Sequence, residues 1–210
     1  LYVARFDASG QGQWLPLVFG QGPLTAANGF ASQADVLIHA RLAADALGAT
    51  PMDRPEWTAV NPATGEMYCT LTNNSSRAVA PAGSSQRAVD ASNPRAYLDP
   101  RSDGRSTRGN ANGHVVRLRE AGDTSEATSF TWDIYAFGAG SDLDPAGINL
   151  SGLDATNDFS SPDGLWFGLP SNPSGQVTPL MWMQTDDGAF TDQTNCMMLA
   201  AIPGIVGDGK

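Results

Sequence analysis

Two stretches of the chain carry a proline and a carboxylate and then, further along, a pair of Asn or Asp side chains. Arg54-Pro55-Glu56-Trp57 is followed by Asn73-Asn74, and Ser161-Pro162-Asp163-Gly164 is followed by Asp186-Asp187. Glu56, Asn73, Asp163, Asp186 and Asp187 offer only oxygen donors, the set that suits a hard cation such as Ca²⁺. With 2 histidines and 2 distant cysteines, Cys69 and Cys196, the chain argues against a zinc or copper site. Asx residues at hairpin ends also serve simply as turn formers, so spacing alone leaves both readings open. Arg117 and Arg119 stand at i and i+2 of an apolar stretch, with Glu120 after them. On a strand both arginines share one face. That face is either solvated or, if it lines a site, a phosphate clamp, because a guanidinium makes paired contacts with phosphate oxygens. No Ser-His-Asp pattern, G-x-S-x-G or P-loop is present, and Gly109-Asn110-Ala111-Asn112-Gly113 does not match a phosphate loop.

The elements that must hold these residues read as β-hairpins. The first runs from Leu1–Phe6 through a Gly-rich turn to Trp14–Phe19. The second runs from Trp57–Val60 through Asn61-Pro62-Ala63-Thr64-Gly65 to Glu66–Thr72, where proline presets φ and glycine supplies the left-handed residue. The third joins His114–Leu118 to Phe130–Tyr135, and the fourth joins Gly164–Leu169 to Leu180–Gln184 through Pro170–Gly175. Hairpins recurring roughly every 50 residues, two of them alike in sequence, point to a propeller rather than a β-sandwich. Propellers bind ligands where strand-connecting loops converge, which would gather the oxygen donors from different blades. One helix is expected, capped by Ser32, with apolar Val36, Leu37, Ala40, Ala43, Ala44 and Leu47 and a stop at Gly48. His39 on it reads as a surface or packing residue.

Residues 75–112 form a long insertion without apolar periodicity. Six of the 11 arginines fall in it: Arg77, Arg87, Arg95, Arg101, Arg105 and Arg108. A loop of this length is either solvated and flexible or a binding element.

Composition sets the outer limits. The 210 residues carry 22 acidic and 12 basic side chains, a net charge of −10, which argues against a general nucleic-acid binder. No apolar run is long enough to span a membrane. Hydrophobic residues make up 41% of the chain, enough for a core, and 16% charged is too low for a disordered polyelectrolyte. With 23 glycines and 14 prolines the chain is expected to be turn-rich and mostly β, in one domain or two. It begins at Leu1 within an expected strand and reads as a piece of something longer.

Taken together, Met52-Asp53-Arg54-Pro55-Glu56-Trp57, Thr70-Leu71-Thr72-Asn73-Asn74, Gly113-His114-Val115-Val116-Arg117, Phe159-Ser160-Ser161-Pro162-Asp163-Gly164-Leu165-Trp166 and Gln184-Thr185-Asp186-Asp187-Gly188 resemble the PhoX-type alkaline phosphatases. Trp14-Leu15-Pro16-Leu17 and Asn195-Cys196-Met197-Met198 fit as well. The resemblance implies a six-bladed β-propeller, and an exported, periplasmic or secreted phosphomonoesterase that uses calcium with iron. It implies Glu56 as a metal ligand, Asp163 and Asp186 as acidic motif positions, Arg117 or its neighbour Arg119 as a contact to the phosphate, and Glu120 as a further ligand; Asn73 joins the metal candidates from its place at the hairpin end. The chain departs from the pattern where the family has an iron-binding cysteine motif, and neither Cys69 nor Cys196 inherits that role. It is expected to be a single partial propeller that lacks blades of the parent and is inactive alone. Two other readings remain open at this stage. One is a calcium-stabilised propeller module without catalysis. The other is a sugar-active propeller using Trp166 and Trp182 with paired carboxylates.

Overall fold

A computed structural model describes residues 1–143, 151–168, 179–186 and 195–208. Asp187, Gly188, Leu169 and the Pro170–Gly175 connection lie outside the described residues. The chain is mostly β. The strands are β1 (Tyr2–Phe6), β2 (Gln11–Pro16), β3 (Pro55–Val60), β4 (Met67–Leu71), β5 (Arg77–Ala78), β6 (Arg87–Ala88) and β7 (Tyr97–Pro100). They continue with β8 (Ser106–Gly109), β9 (His114–Glu120), β10 (Ser129–Phe137), β11 (Pro162–Phe167), β12 (Met181–Thr185) and β13 (Met198–Ala201). Among the described residues no helix is long and apolar enough to cross a membrane. Two compact units emerge, Leu1–Pro51 with Glu120–Thr131, and Met52–Arg119 with Trp132–Lys210.

In the first unit β1 and β2 form the expected hairpin, in register from Tyr2↔Pro16 to Phe6↔Gly12. The turn closes on Asp7, whose Oδ1 accepts from the backbone N–H groups of Ser9 and Gln11. The first residues of β10 add to β2, and Phe130 packs against Phe6 and Trp14 with ring centroids 5.1 and 5.0 Å away. The single helix expected here is two, α1 (Gln33–Ile38) and α2 (Ala40–Leu47). His39 leaves the helical region at φ −100°, ψ 39°, and the two short helices each deliver a residue, Val36 and Ala43, to one core with Leu17, Leu24 and Phe30. The caps are as expected: Ser32 Oγ accepts from the Asp35 N–H, and Gly48 takes the left-handed conformation. His39 is exposed and 3.4 Å from Asp35.

In the second unit β10, β9, β4 and β3 lie side by side in that order, and β11, β12 and β13 form a second sheet. The expected second, third and fourth hairpins are therefore all present. Strand β4 is buried on both faces. Tyr68 joins Val115, Phe159, Leu165, Phe167, Met181 and Met183 on one side, while Cys69 and Leu71 pack with Val116 on the other. Two-sided burial explains why this strand reads as a continuous apolar run. Burial pushes the Cys69 thiol up to about 11, so it is an inert packing group. Two threonines of β4 tie it to β11: Thr70 Oγ1 donates to the Asp163 carbonyl at 2.6 Å and Thr72 Oγ1 to the Pro162 carbonyl at 3.0 Å.

The insertion is more ordered than its composition suggests. It forms a parallel pair, β5 with β6, and an antiparallel pair, β7 with β8. Its cohesion is polar: Arg77 is buried against Asp53 at 2.6 Å and Asp90 at 3.0 Å. Arg95 is buried with its guanidinium 3.8 Å above the Phe137 ring and Nη1 donating to the Gly138 carbonyl. Two of the six arginines are thus structural, a role that periodicity does not reveal. Gly113, at φ 71°, closes the insertion; a Cβ there would collide with the Thr72 carbonyl oxygen.

Candidate active site

The two motifs alike in sequence are alike in backbone. Arg54 and Ser161 each precede a proline and each sits in the left-handed region, at φ 51° and φ 54°. A following proline disfavours the right-handed helical region, which leaves a residue that must turn there few alternatives. In both, the ladder slips just after the proline, between Pro55 and Thr58 and between Pro162 and Leu165. In both, the left-handed residue's carbonyl accepts from the residue after the partner strand: Thr72 N–H donates to Arg54 and Asp186 N–H to Ser161, at 3.1 and 2.9 Å. Holding a non-glycine residue in this region costs on the order of 1 kcal/mol or more, and such strain concentrates at functional sites.

Asn73 joins the two motifs. Its Oδ1 accepts from Arg54 Nη1 at 2.9 Å and its Nδ2 donates to Ser161 Oγ at 3.2 Å. Arg54 Nη2 lies 3.4 Å from Glu56 Oε1. The registers Pro55↔Leu71 and Pro162↔Thr185 put Glu56 and Asn73 at one end of the β3–β4 hairpin and Asp163 and Asp186 at one end of the β11–β12 pair. Asn73 is buried, Asp163 half-buried, and Glu56 and Asp186 exposed. Arg54 itself was not singled out from the sequence, although it lies inside a quoted motif. Its side chain is 56% exposed, so unlike the buried arginines it can receive a ligand from solvent.

The other predicted residues are held differently. Arg117 is fully buried, with Nε and Nη2 donating to the two Asp133 oxygens at 2.6 and 2.7 Å and Nη2 also to Asp208 Oδ1 at 2.7 Å. Burial alone would lower its pKa; the hydrogen bonds to Asp133 and Asp208 outweigh it and hold the guanidinium above its ordinary value. The solvated or site-lining face expected for Arg117 is therefore an enclosed ion cluster, because its partners come from β10 and from near residue 208. Arg119 is part-buried further along β9. Glu120 belongs to the first unit, where both its oxygens accept from Trp14 Nε1 at 3.0 and 2.9 Å. Trp166, 62% exposed, faces Trp182 across β11 and β12.

The oxygens of Glu56, Asn73, Asp163 and Asp186 suit a hard cation, but they fit only as part of a donor set. Among the described residues no three His, Cys, Asp or Glu side chains gather closely enough to hold a metal ion. Cys69 packs in the core and His114 bonds Asn110 and the Ser92 carbonyl, so neither is placed there as a donor for iron.

A family model described as alkaline phosphatase PhoX matches residues 1–208. The chain is similar to the structure of Pseudomonas fluorescens PhoX in complex with vanadate, a transition state analogue, with a TM-score of 0.73 and 39% identity. The match covers 96% of this chain and 33% of that one, so the chain spans about a third of the length of the structure it resembles. No curated protein sequence matches it significantly.

Proposed function

The chain belongs to the PhoX family of alkaline phosphatases, and from that premise we propose that its parent protein hydrolyses phosphate monoesters at the end built by Arg54, Glu56, Asn73, Asp163 and Asp186. The observation that carries this reading is the bridge Arg54–Asn73–Ser161, which links two strained motif residues beside an accessible guanidinium and the Glu56 carboxylate.

Each residue has a task that follows from its geometry. Arg54 presents the remaining guanidinium N–H groups to two oxygens of a phosphate, neutralising charge that grows as the ester bond breaks. Asn73 fixes the plane of that guanidinium from one side. Glu56, at 3.4 Å, holds it only loosely and is free to turn to a cation. Asp163 and Asp186 add oxygens from the second hairpin. Calcium, when bound by Glu56 with Asp163 and Asp186, would polarise a phosphate oxygen as a Lewis acid. Iron belongs to the proposal through the family alone. Arg117 and Arg119 act on this reading as supports of the sheet, and Glu120 as a partner of Trp14.

The remaining donors come from other segments of the parent, so the 210 residues alone are expected to be inactive. Export to the periplasm or medium belongs to the same proposal, and cell fractionation checks it. The reading is tested by hydrolysis of 4-nitrophenyl phosphate by the full-length protein before and after thorough chelation with EGTA, with metals measured by elemental mass spectrometry. Activity lost with calcium and restored by adding it back supports the proposal. Full activity in protein stripped of calcium overturns it.

A further inference from the structure

We infer that Asp53, held by Arg77 and Asn74, is a positioning residue that sets the conformation of Arg54, so that the 75–112 insertion serves the site from behind and not by offering arginines to a ligand. This rests on the reading of Arg54 given above. The Asp53 carboxylate is fully buried and accepts three hydrogen bonds: from Arg77 Nε at 2.6 Å, Asn74 Nδ2 at 2.7 Å and Asn110 Nδ2 at 3.0 Å. Its own N–H donates to Asn93 Oδ1 at 3.0 Å. Residue 53 is thus fixed on both its side chain and its backbone, and the next residue is the strained Arg54.

The far side of Arg54 is fixed too, because its carbonyl accepts from the Thr72 N–H at 3.1 Å. Asn74 connects the two supports: it donates to Asp53, and it follows Asn73, the residue that orients the Arg54 guanidinium. One buried carboxylate therefore locks both the backbone that aims Arg54 and the turn that aims its partner. Arg77 is anchored in turn by the Ala88 carbonyl at 2.6 Å and by Asp90 at 3.0 Å, which makes the insertion a brace for residue 53. Relaxing this brace lets Arg54 leave φ 51° for the broad extended region and swing its guanidinium away from Asn73.

The test is a double-mutant cycle in the full-length protein, read by 4-nitrophenyl phosphate hydrolysis, inhibition by inorganic phosphate and thermal unfolding. Asp53→Asn and the milder Asn74→Ala are each made alone and in an Arg54→Ala background. Each single variant is expected to raise KM and the phosphate inhibition constant together by on the order of tenfold. In the Arg54→Ala background the same changes should move both by less than about twofold, since nothing is left to position. If the variants lower Tm but leave KM and phosphate inhibition unchanged, or shift them equally with and without Arg54, the brace is purely structural and the inference fails. If Asp53→Asn does not fold, Asn74→Ala decides the matter. If Arg54→Ala itself leaves activity unchanged, the site reading fails first and takes this inference with it.

Discussion

Arg117 and Arg54 stand in the same unit, each beside carboxylates, and they are opposite in kind. Arg117 is enclosed, with three short hydrogen bonds to Asp133 and Asp208. Arg54 is half out in solvent, with one amide partner and one carboxylate at 3.4 Å, on a backbone that no ordinary side chain prefers. A fully buried guanidinium tied to two carboxylates is out of reach of a phosphate arriving from solvent, although its Nη1 finds no hydrogen-bond partner among the described residues; it holds β9 to β10 and to the segment around residue 208. An exposed, strained one gains little for the fold and is available for a ligand. The pairing of an arginine with acids thus says nothing about function until its burial is known.

The contrast can be broken most forcefully at Arg117. Arg117→Met leaves two carboxylates facing a buried cavity and should cost about 3–5 kcal/mol, measured by urea unfolding. A loss below about 1 kcal/mol would show that the cluster is not holding the sheets.

The support behind Arg54 should differ from the Arg117 cluster in its response to acid. Burial pulls the His114 imidazole down to about 4, and the neutral ring donates from Nε2 to the Ser92 carbonyl while Nδ1 accepts from Asn110. The unfolded chain takes up this proton near pH 6.5, the folded one only near 4, so the stabilisation is complete above 6.5 and declines as pH falls. Between pH 6.5 and 5 the loss should reach about 2 kcal/mol. An NMR titration of the His114 ring with a midpoint near 6.5 would remove this difference.

The smallest effect is expected at the exposed pair. Glu56→Gln should change unfolding stability by less than about 1 kcal/mol, because a half-exposed ion pair contributes little. A much larger loss in thermal unfolding would place Glu56 with Arg117 among the residues that hold the fold.

How much of this was legible in sequence depends on what makes each part ordered. The hairpins were legible because turn residues such as Asn61-Pro62 and apolar runs such as Tyr68–Leu71 act locally. The insertion was not, because its order comes from side chains such as Asp53, Asn93 and Arg77 bonding across distances of tens of residues, with no period to detect. The break at His39 was invisible since the apolar spacing continues across it. Glu56, Asn73, Asp163 and Asp186 could be singled out because their positions repeat between two hairpins. Arg54 was missed, since a left-handed φ at a non-glycine residue is signalled only by the proline after it. Alternation on β9 gives the face of Arg117 but not Asp133 and Asp208, which cover it.

The most direct test of the site is the kcat/KM of full-length Arg54→Ala for 4-nitrophenyl phosphate, with inorganic phosphate as competitor. We predict a loss on the order of a hundredfold with weakened phosphate inhibition and nearly unchanged Tm. A folded variant with wild-type kcat/KM and undiminished phosphate inhibition would contradict the account.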